Sequence, residues 1–332
     1  MGFSSREVSF SFGRKQDERK ISMKKKVKWN AASITLQEGC EKHCENCRQR
    51  NLRDTTIKHY RESYKSFYRY FGADTPVGEI NEARYNEYLG FLRTLTKNDV
   101  TIRNYQRNLI TVLHFLMSEG YMKPFPMKAI KAMRNGVEAY TDDEMRLLLK
   151  KPNIRNCSFL EYETWVIINF LFSTGIRQRS LRHIQIKDID FDNNVAVIKV
   201  TKNRKVLIMP LNQTMVSILK EFLKHRQHKS EEDWLFCNAY GMQIAKGVCY
   251  DLIKRYNLSR GVETKGVHRF RHTFAKQWIL NGGNVVTLSR LLGHSNLKIT
   301  QDYINLLTTD LSRQVEQINL LEKYAENKRM KL

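Results

Sequence analysis

No apolar run in this 332-residue sequence approaches the ~18 residues of a membrane-spanning helix, so that class of membrane protein is excluded. No secretory leader core opens it either. The six cysteines, at 40, 44, 47, 157, 237 and 249, are therefore expected to be thiols in a reducing, cytoplasmic compartment rather than a disulfide framework. Proline is scarce as well, with five residues, and two of them, Pro124 and Pro126, fall with Gly136 in a stretch lacking a sustained apolar stripe. A linker over 122–138 is the expectation there. Acidic residues are few: 34 Asp+Glu stand against 57 Lys+Arg, which gives a formal net charge of +23. A balance this basic implies a polyanionic partner, and nucleic acid fits better than a membrane surface. Composition alone leaves open a basic surface that is merely solvated.

The length allows about two domains, each with its own core. Residues 1–26 carry eight Lys/Arg and three Asp/Glu with few apolar residues after Phe12, and read as a basic flexible arm. Cys40, His43, Cys44 and Cys47 have the side chains of a zinc site, yet their spacing puts all four on one face of one helix. Four ligands on one helix cannot surround a tetrahedral ion, so a buried small-residue face is expected and no metal. From Asp54, a candidate N-cap, Tyr60, Tyr64, Phe67, Tyr68 and Phe71 recur at helical spacing and predict a helix whose aromatic stripe faces a core. Helices near 81–95 and from Asn98 or Asp99 to about Gly120 complete a compact bundle over 27–121.

The second domain is expected to open at Thr141-Asp-Asp-Glu144, which reads as a capping box. Trp165 to Ser173 is an apolar run apart from Asn169 and its final serine, read as a buried helix that leads into a turn at Thr174-Gly175 and presents Arg177. Turn residues Asp190 to Asn194 precede a hairpin in which Val195 to Val200 pairs with Val206 to Met209, with Lys202 and Lys205 at its tip. Next come His268-Arg-Phe-Arg271-His272, Leu292-Gly293-His294 and Gln301-Asp302-Tyr303. His268 and Arg271, three apart, share a helix face. Two imidazoles, a guanidinium and a phenol at this spacing suit attack on a phosphodiester. A tyrosine nucleophile, with an ordinary pKa of about 10, needs a strongly positive site. Arginine forks pair with the non-bridging oxygens, imidazoles share the proton, and a lysine can protonate the leaving alkoxide.

These residues resemble the motifs of the tyrosine recombinase (phage integrase) family. His268-x-x-Arg271-His272, Leu292-Gly293-His294 and a tyrosine nine positions later are similar to its box II. Phe172-Ser-Thr-Gly175-Ile176-Arg177 resembles box I, and the Val195 to Leu211 segment resembles the lysine-bearing hairpin. The resemblance implies a mainly α fold with a small β-sheet. A helical core-binding domain, 27–121, would precede an α+β catalytic domain, 139–310, and an amphipathic segment, 311–332, would pack in cis or on a neighbouring protomer. It implies Arg177, Lys202, His268, Arg271, His294 and Tyr303 as the catalytic set, with Lys205 the alternative lysine, and a 3′-phosphotyrosyl intermediate that needs no cofactor. It implies double-stranded DNA as substrate, four protomers on two sites, an accessory directionality protein, and a bacterial, nucleoid-associated location. Lys58, Arg61, Arg103, Arg107, Arg179 and Lys205 become candidate DNA contacts, with a solvated helix face the alternative for the first four. Ser180 departs from the pattern, because the family commonly has an acidic residue three positions after the box I arginine. The resemblance fits the integrase of a mobile element and equally a recombinase that resolves chromosome or plasmid dimers, and a catalytically silent DNA-binding accessory or repressor protein of the same fold is the competing reading.

Overall fold

The computed structural model describes residues 33–130, 139–263 and 266–294. The expected arm, Tyr303 and the segment 311–332 lie outside the described residues. The chain divides into two compact units, Met1–Arg134 and Asn135–Leu332.

The first unit is a helical bundle of α1 (Leu36–Gln49), α2 (Asp54–Phe71), α3 (Glu82–Leu95) and α4 (Asp99–Ser118). Thr35 and Glu38 form a capping box at the start of α1. Along α1, Cys40, His43, Cys44 and Cys47 are all buried. His43 packs edge-on against Tyr60 and faces the Tyr64 hydroxyl at 2.6 Å through Nδ1, with Cys47 Sγ 3.7 Å from Nε2. Burial pushes this imidazole down to about 4. Among the described residues no group of three or more His, Cys, Asp or Glu is arranged to hold a metal ion.

Arg53, not Asp54, occupies the N-cap of α2 and makes no side-chain capping bond; Asp54 is the first helical residue, where its charge favours the positive end of the helix dipole. Tyr64, Phe67 and Phe71 are buried against Tyr85, Tyr88, Leu109, Val112 and Leu113, while Tyr60 and Tyr68 are half-buried at the rim. Asn98 caps α4 by accepting from the Thr101 amide. Residues 122–130 form no regular element yet pack on the bundle, since the Lys128 carbonyl accepts from Tyr85 Oη and Gln106 Nε2 and Gln106 Oε1 accepts from the Ile130 amide. Gln106 is buried, so these bonds satisfy an amide that would otherwise cost about 1–3 kcal/mol.

The second unit is built around α6 (Phe159–Thr174), which lies against α5 (Asp142–Leu149), α8 (Gln213–His225), α9 (Lys246–Ser259) and α10 (His268–Leu280). Val166, Ile167, Ile168 and Phe170 are fully buried, each contributing roughly 1.5–3 kcal/mol of apolar transfer. The Thr141–Glu144 capping box starts α5. Short helices α7 (Gln178–Leu181) and α11 (Val285–Leu291) carry the chain into and out of the site. The sheet is antiparallel in the order β1 (Ile189–Asp190), β2 (Val195–Ile198), β3 (Leu207–Pro210), with Val195 opposite Pro210 and Ile198 opposite Leu207. Its first turn is made by Asp190, whose Oδ1 accepts from the amides of Asp192 and Asn193.

Candidate active site

Box I is positioned by a turn that only glycine can make. Gly175 ends α6 in the left-handed conformation, at φ 62°, and an added Cβ would strike the Phe274 ring and sit 2.9 Å from Leu292 Cδ2. The turn leaves the Gly175 carbonyl facing α10 and puts Arg177 at the N-cap of α7.

Arg271 reaches in from α10 and is only 5% exposed. Its guanidinium donates through Nη1 to the Gly175 carbonyl at 2.9 Å, and through Nη2 to the Leu292 carbonyl at 2.7 Å and to His294 Nε2 at 2.8 Å. Arg177 Nη1 donates to the same Leu292 carbonyl at 3.3 Å. Two guanidiniums thus converge on one backbone oxygen, an arrangement that repels itself unless an anion joins it. Because a guanidinium has no acceptor, His294 Nε2 must carry the lone pair, so the ring is neutral with its proton on Nδ1.

The imidazoles report the same field. Burial, then Arg271, Arg177 and Lys202, push His294 down to about 4. His268 is also lowered, first by desolvation of its ring and then by Arg271, Arg177 and Lys246, although the residue as a whole reaches solvent. His272 is pushed down to about 4 by burial, His268 and Arg271. Three neutral imidazoles among four cations make a pocket prepared for an anion.

Lys202 is exposed at the hairpin tip and lies close enough to depress His294, an effect that Lys205, also exposed, does not share. Four bonds fix the hairpin. Lys199 pairs with the buried Asp188 at 2.5 Å, Ser180 Oγ donates to the Val200 carbonyl at 2.7 Å, and Thr201 Oγ1 donates to the Lys205 carbonyl at 2.6 Å. Asn203 Nδ2 donates to the Gly293 carbonyl at 3.1 Å. The structure therefore brings together Arg177, Lys202, His268, Arg271 and His294, whereas Tyr303 is outside the described residues.

Sequence reasoning missed Lys246, Asn203 and the Leu292 carbonyl. Lys246 starts α9, and its backbone carbonyl is held by Gln178 Nε2 at 3.0 Å. Spacing gave no sign of it, because α9 meets the site only through tertiary packing. Arg179, beside Arg177, is exposed. In the first unit Lys58 and Arg61 are exposed and share a recess of about 500 Å³ with Arg48, Asp54 and Glu62, while Arg103 and Arg107 are exposed on α4.

Comparison with known proteins assigns the class. The model of the phage integrase family matches residues 138–309, and that of the phage integrase SAM-like domain matches 35–133. The chain belongs to the phage integrase family and is by that membership a tyrosine-type site-specific DNA recombinase. Among its relatives, tyrosine recombinase XerD of Listeria innocua serovar 6a is 24% identical over 270 residues, covering 78% of this chain and 90% of that protein. Tyrosine recombinase XerA of Saccharolobus solfataricus is 32% identical over 214 residues, covering 64% of this chain and 65% of that protein. In fold it is similar to the Tn1549 transposon integrase in complex with a circular intermediate DNA, with TM-score 0.67 and 19% identity over 82% of this chain and 95% of that one. It is also similar to a lambda integrase dimer bound to a COC′ core site, with TM-score 0.66 and 15% identity over 80% of this chain and 97% of that one. These likenesses agree with the mainly helical architecture and its small three-stranded sheet. No described helix is long and apolar enough to cross a membrane.

Proposed function

We propose that this chain cuts and rejoins double-stranded DNA with Tyr303 as nucleophile and Arg177, Lys202, His268, Arg271 and His294 as the groups acting on the scissile phosphate. The observation that carries this reading is the convergence of Arg177 and Arg271 on the Leu292 carbonyl, with His294 on the same guanidinium and Lys202 and His268 in the same field. When a phosphodiester enters, its non-bridging oxygens take the guanidinium donors, and the developing charge is met by groups already in place. The Tyr303 oxygen bonds to phosphorus while its proton passes to His268. The P–O5′ bond breaks and Lys202 supplies the proton that the 5′ oxygen takes. A 3′-phosphotyrosyl bond and a free 5′-hydroxyl result. The 5′-hydroxyl of a partner strand then attacks that bond and restores Tyr303.

In this reading the first unit tracks the DNA backbone through Lys58, Arg61, Arg103 and Arg107, with Arg179 and Lys205 adding contacts near the cut. Four protomers assemble on two sites, with an accessory protein setting direction, and the enzyme works at the bacterial nucleoid on a mobile element. The likeness to a transposon integrase supports the last point.

The test is a nicked duplex bearing the cognate site, incubated with chelator present. Wild type is expected to leave a protein–DNA adduct that survives SDS, and Tyr303→Phe none. Tight specific binding with no adduct from the wild type would instead make the chain a silent DNA-binding protein.

A further inference from the structure

The position three after Arg177 does not hold the expected carboxylate, and the structure shows what Ser180 does in its place. Ser180 is 6% exposed, on α7, and its hydroxyl donates to the Val200 carbonyl at 2.7 Å, two residues before Lys202. At the far side of the same lysine, Asn203 donates to the Gly293 carbonyl at 3.1 Å, one residue before His294. Thr201 closes the tip on itself through the Lys205 carbonyl. Lys202 is therefore bracketed. One tether joins the segment that follows β2 to the helix that Arg177 caps, and the other joins the tip to the turn that presents His294.

We propose that Ser180 and Asn203 are positioning residues that dock the Lys202 hairpin on the arginine–histidine centre, so that the proton donor for the leaving 5′ oxygen is aimed before strand cleavage begins. The inference rests on the reading of Tyr303 as nucleophile and Lys202 as acid. A hairpin tip otherwise samples many conformations, and an exposed lysine loses rotamer freedom each time it is aimed. Two backbone-directed bonds on either side of the lysine remove much of that search. A carboxylate at position 180 could not make the first bond. Ionised, it only accepts, and the Val200 carbonyl has no proton to give it.

The role predicts a signature that a general structural role lacks. Ser180→Ala and Asn203→Ala are compared with wild type in single-turnover cleavage of two substrates, one with the natural 5′-bridging oxygen and one with sulfur at that position. A departing thiolate, with a conjugate acid pKa of about 8.5, needs no general acid, whereas the alkoxide does. Cleavage of the oxygen substrate is expected to fall about tenfold in each variant, the worth of one hydrogen bond. Cleavage of the sulfur substrate is expected to stay at the wild-type rate, as it should for Lys202→Ala. Ser180→Glu is expected to fall at least as far as Ser180→Ala on oxygen. Equal losses on both substrates, no loss on oxygen, or a gain in Ser180→Glu would each overturn the proposal. If wild type itself leaves no covalent adduct on the sulfur substrate, the assignment of the reaction fails, and not that of the tethers.

Discussion

Arg271 is the side chain on which the most geometry depends. It is buried, it satisfies two backbone carbonyls, and it fixes the tautomer of His294. Arg271→Lys keeps the charge but loses the planar fork, so it cannot meet Gly175, Leu292 and a phosphate together. Cleavage is expected to fall by about 10²–10³, the usual loss for one preorganised donor, with DNA affinity changed far less. Single-turnover rates and filter binding on the same preparation separate the two. The histidines give a second prediction. His294 stands at about 4 in the DNA-free protein, below the ordinary imidazole value, so its neutral form stabilises the fold. That contribution is complete above pH ~6.5 and is lost as pH falls through about 4. Glu163, pushed up to about 7 by burial, acts in the opposite sense, and its contribution is lost as pH rises. A phosphodiester at the two arginines supplies the missing negative charge, so NMR titration of the His294 ring should show its pKa rising on addition of DNA with Tyr303→Phe. An unchanged value would mean that the phosphate does not bind there.

Among the elements, α6 and its turn do most to place the site, and they were also the most legible. The apolar run from Trp165 to Phe172, interrupted only at Asn169, the Thr141–Glu144 capping box and the aromatic spacing of α2 are local signals, and the structure follows each of them. Where local signals compete, the sequence was less decisive: Asp54 reads as a cap but is the first helical residue, since Arg53 takes the extended conformation there. The bonds that join elements were not legible. Ser180 to Val200 spans 20 positions, Asn203 to Gly293 spans 90, and the Leu292 carbonyl accepts from arginines 115 and 21 residues away. Backbone acceptors carry no residue identity, and their partners are chosen by packing. Gly175 links the two kinds of information, being visible as a turn residue yet required for a tertiary reason. Gly175→Ala combines a left-handed backbone, about 1–2 kcal/mol, with overpacking against Phe274 and Leu292, typically 1–3 kcal/mol more. Chemical denaturation should show a loss of about 2–5 kcal/mol with unchanged slope, and cleavage should fall further than stability explains because the Gly175 carbonyl shifts from Arg271. A variant as stable and as active as wild type would show that the turn is not constrained in this way.

For the whole molecule, the deciding quantity is the net charge of +23, spread over a chain whose described residues form one core in the first unit and, in the second, a large core and a smaller one around Ala275, Ile279, Leu288 and Leu292. A charge of this size is consistent with backbone tracking and with simple solubility, and salt dependence separates them. Each phosphate neutralised by Lys or Arg releases condensed counterions, and the slope of log K against log salt changes by about 0.9 for each such contact. Lys58, Arg61, Arg103 and Arg107 are exposed on α2 and α4, so replacing all four by Gln should leave the bundle folded, because none of them belongs to its core. If all four touch the DNA backbone, the slope is expected to become shallower by about 3–4 units, and affinity should fall alike for specific and unrelated duplexes. Asp54 and Glu62 in the recess beside Lys58 and Arg61 argue for a smaller effect from that pair, since local carboxylates already neutralise part of its charge. Separate double variants of α2 and α4 would expose the difference as unequal slopes. An unchanged slope in the quadruple variant would place the backbone contacts of the first unit on another of its faces and leave these four residues as a solvated surface.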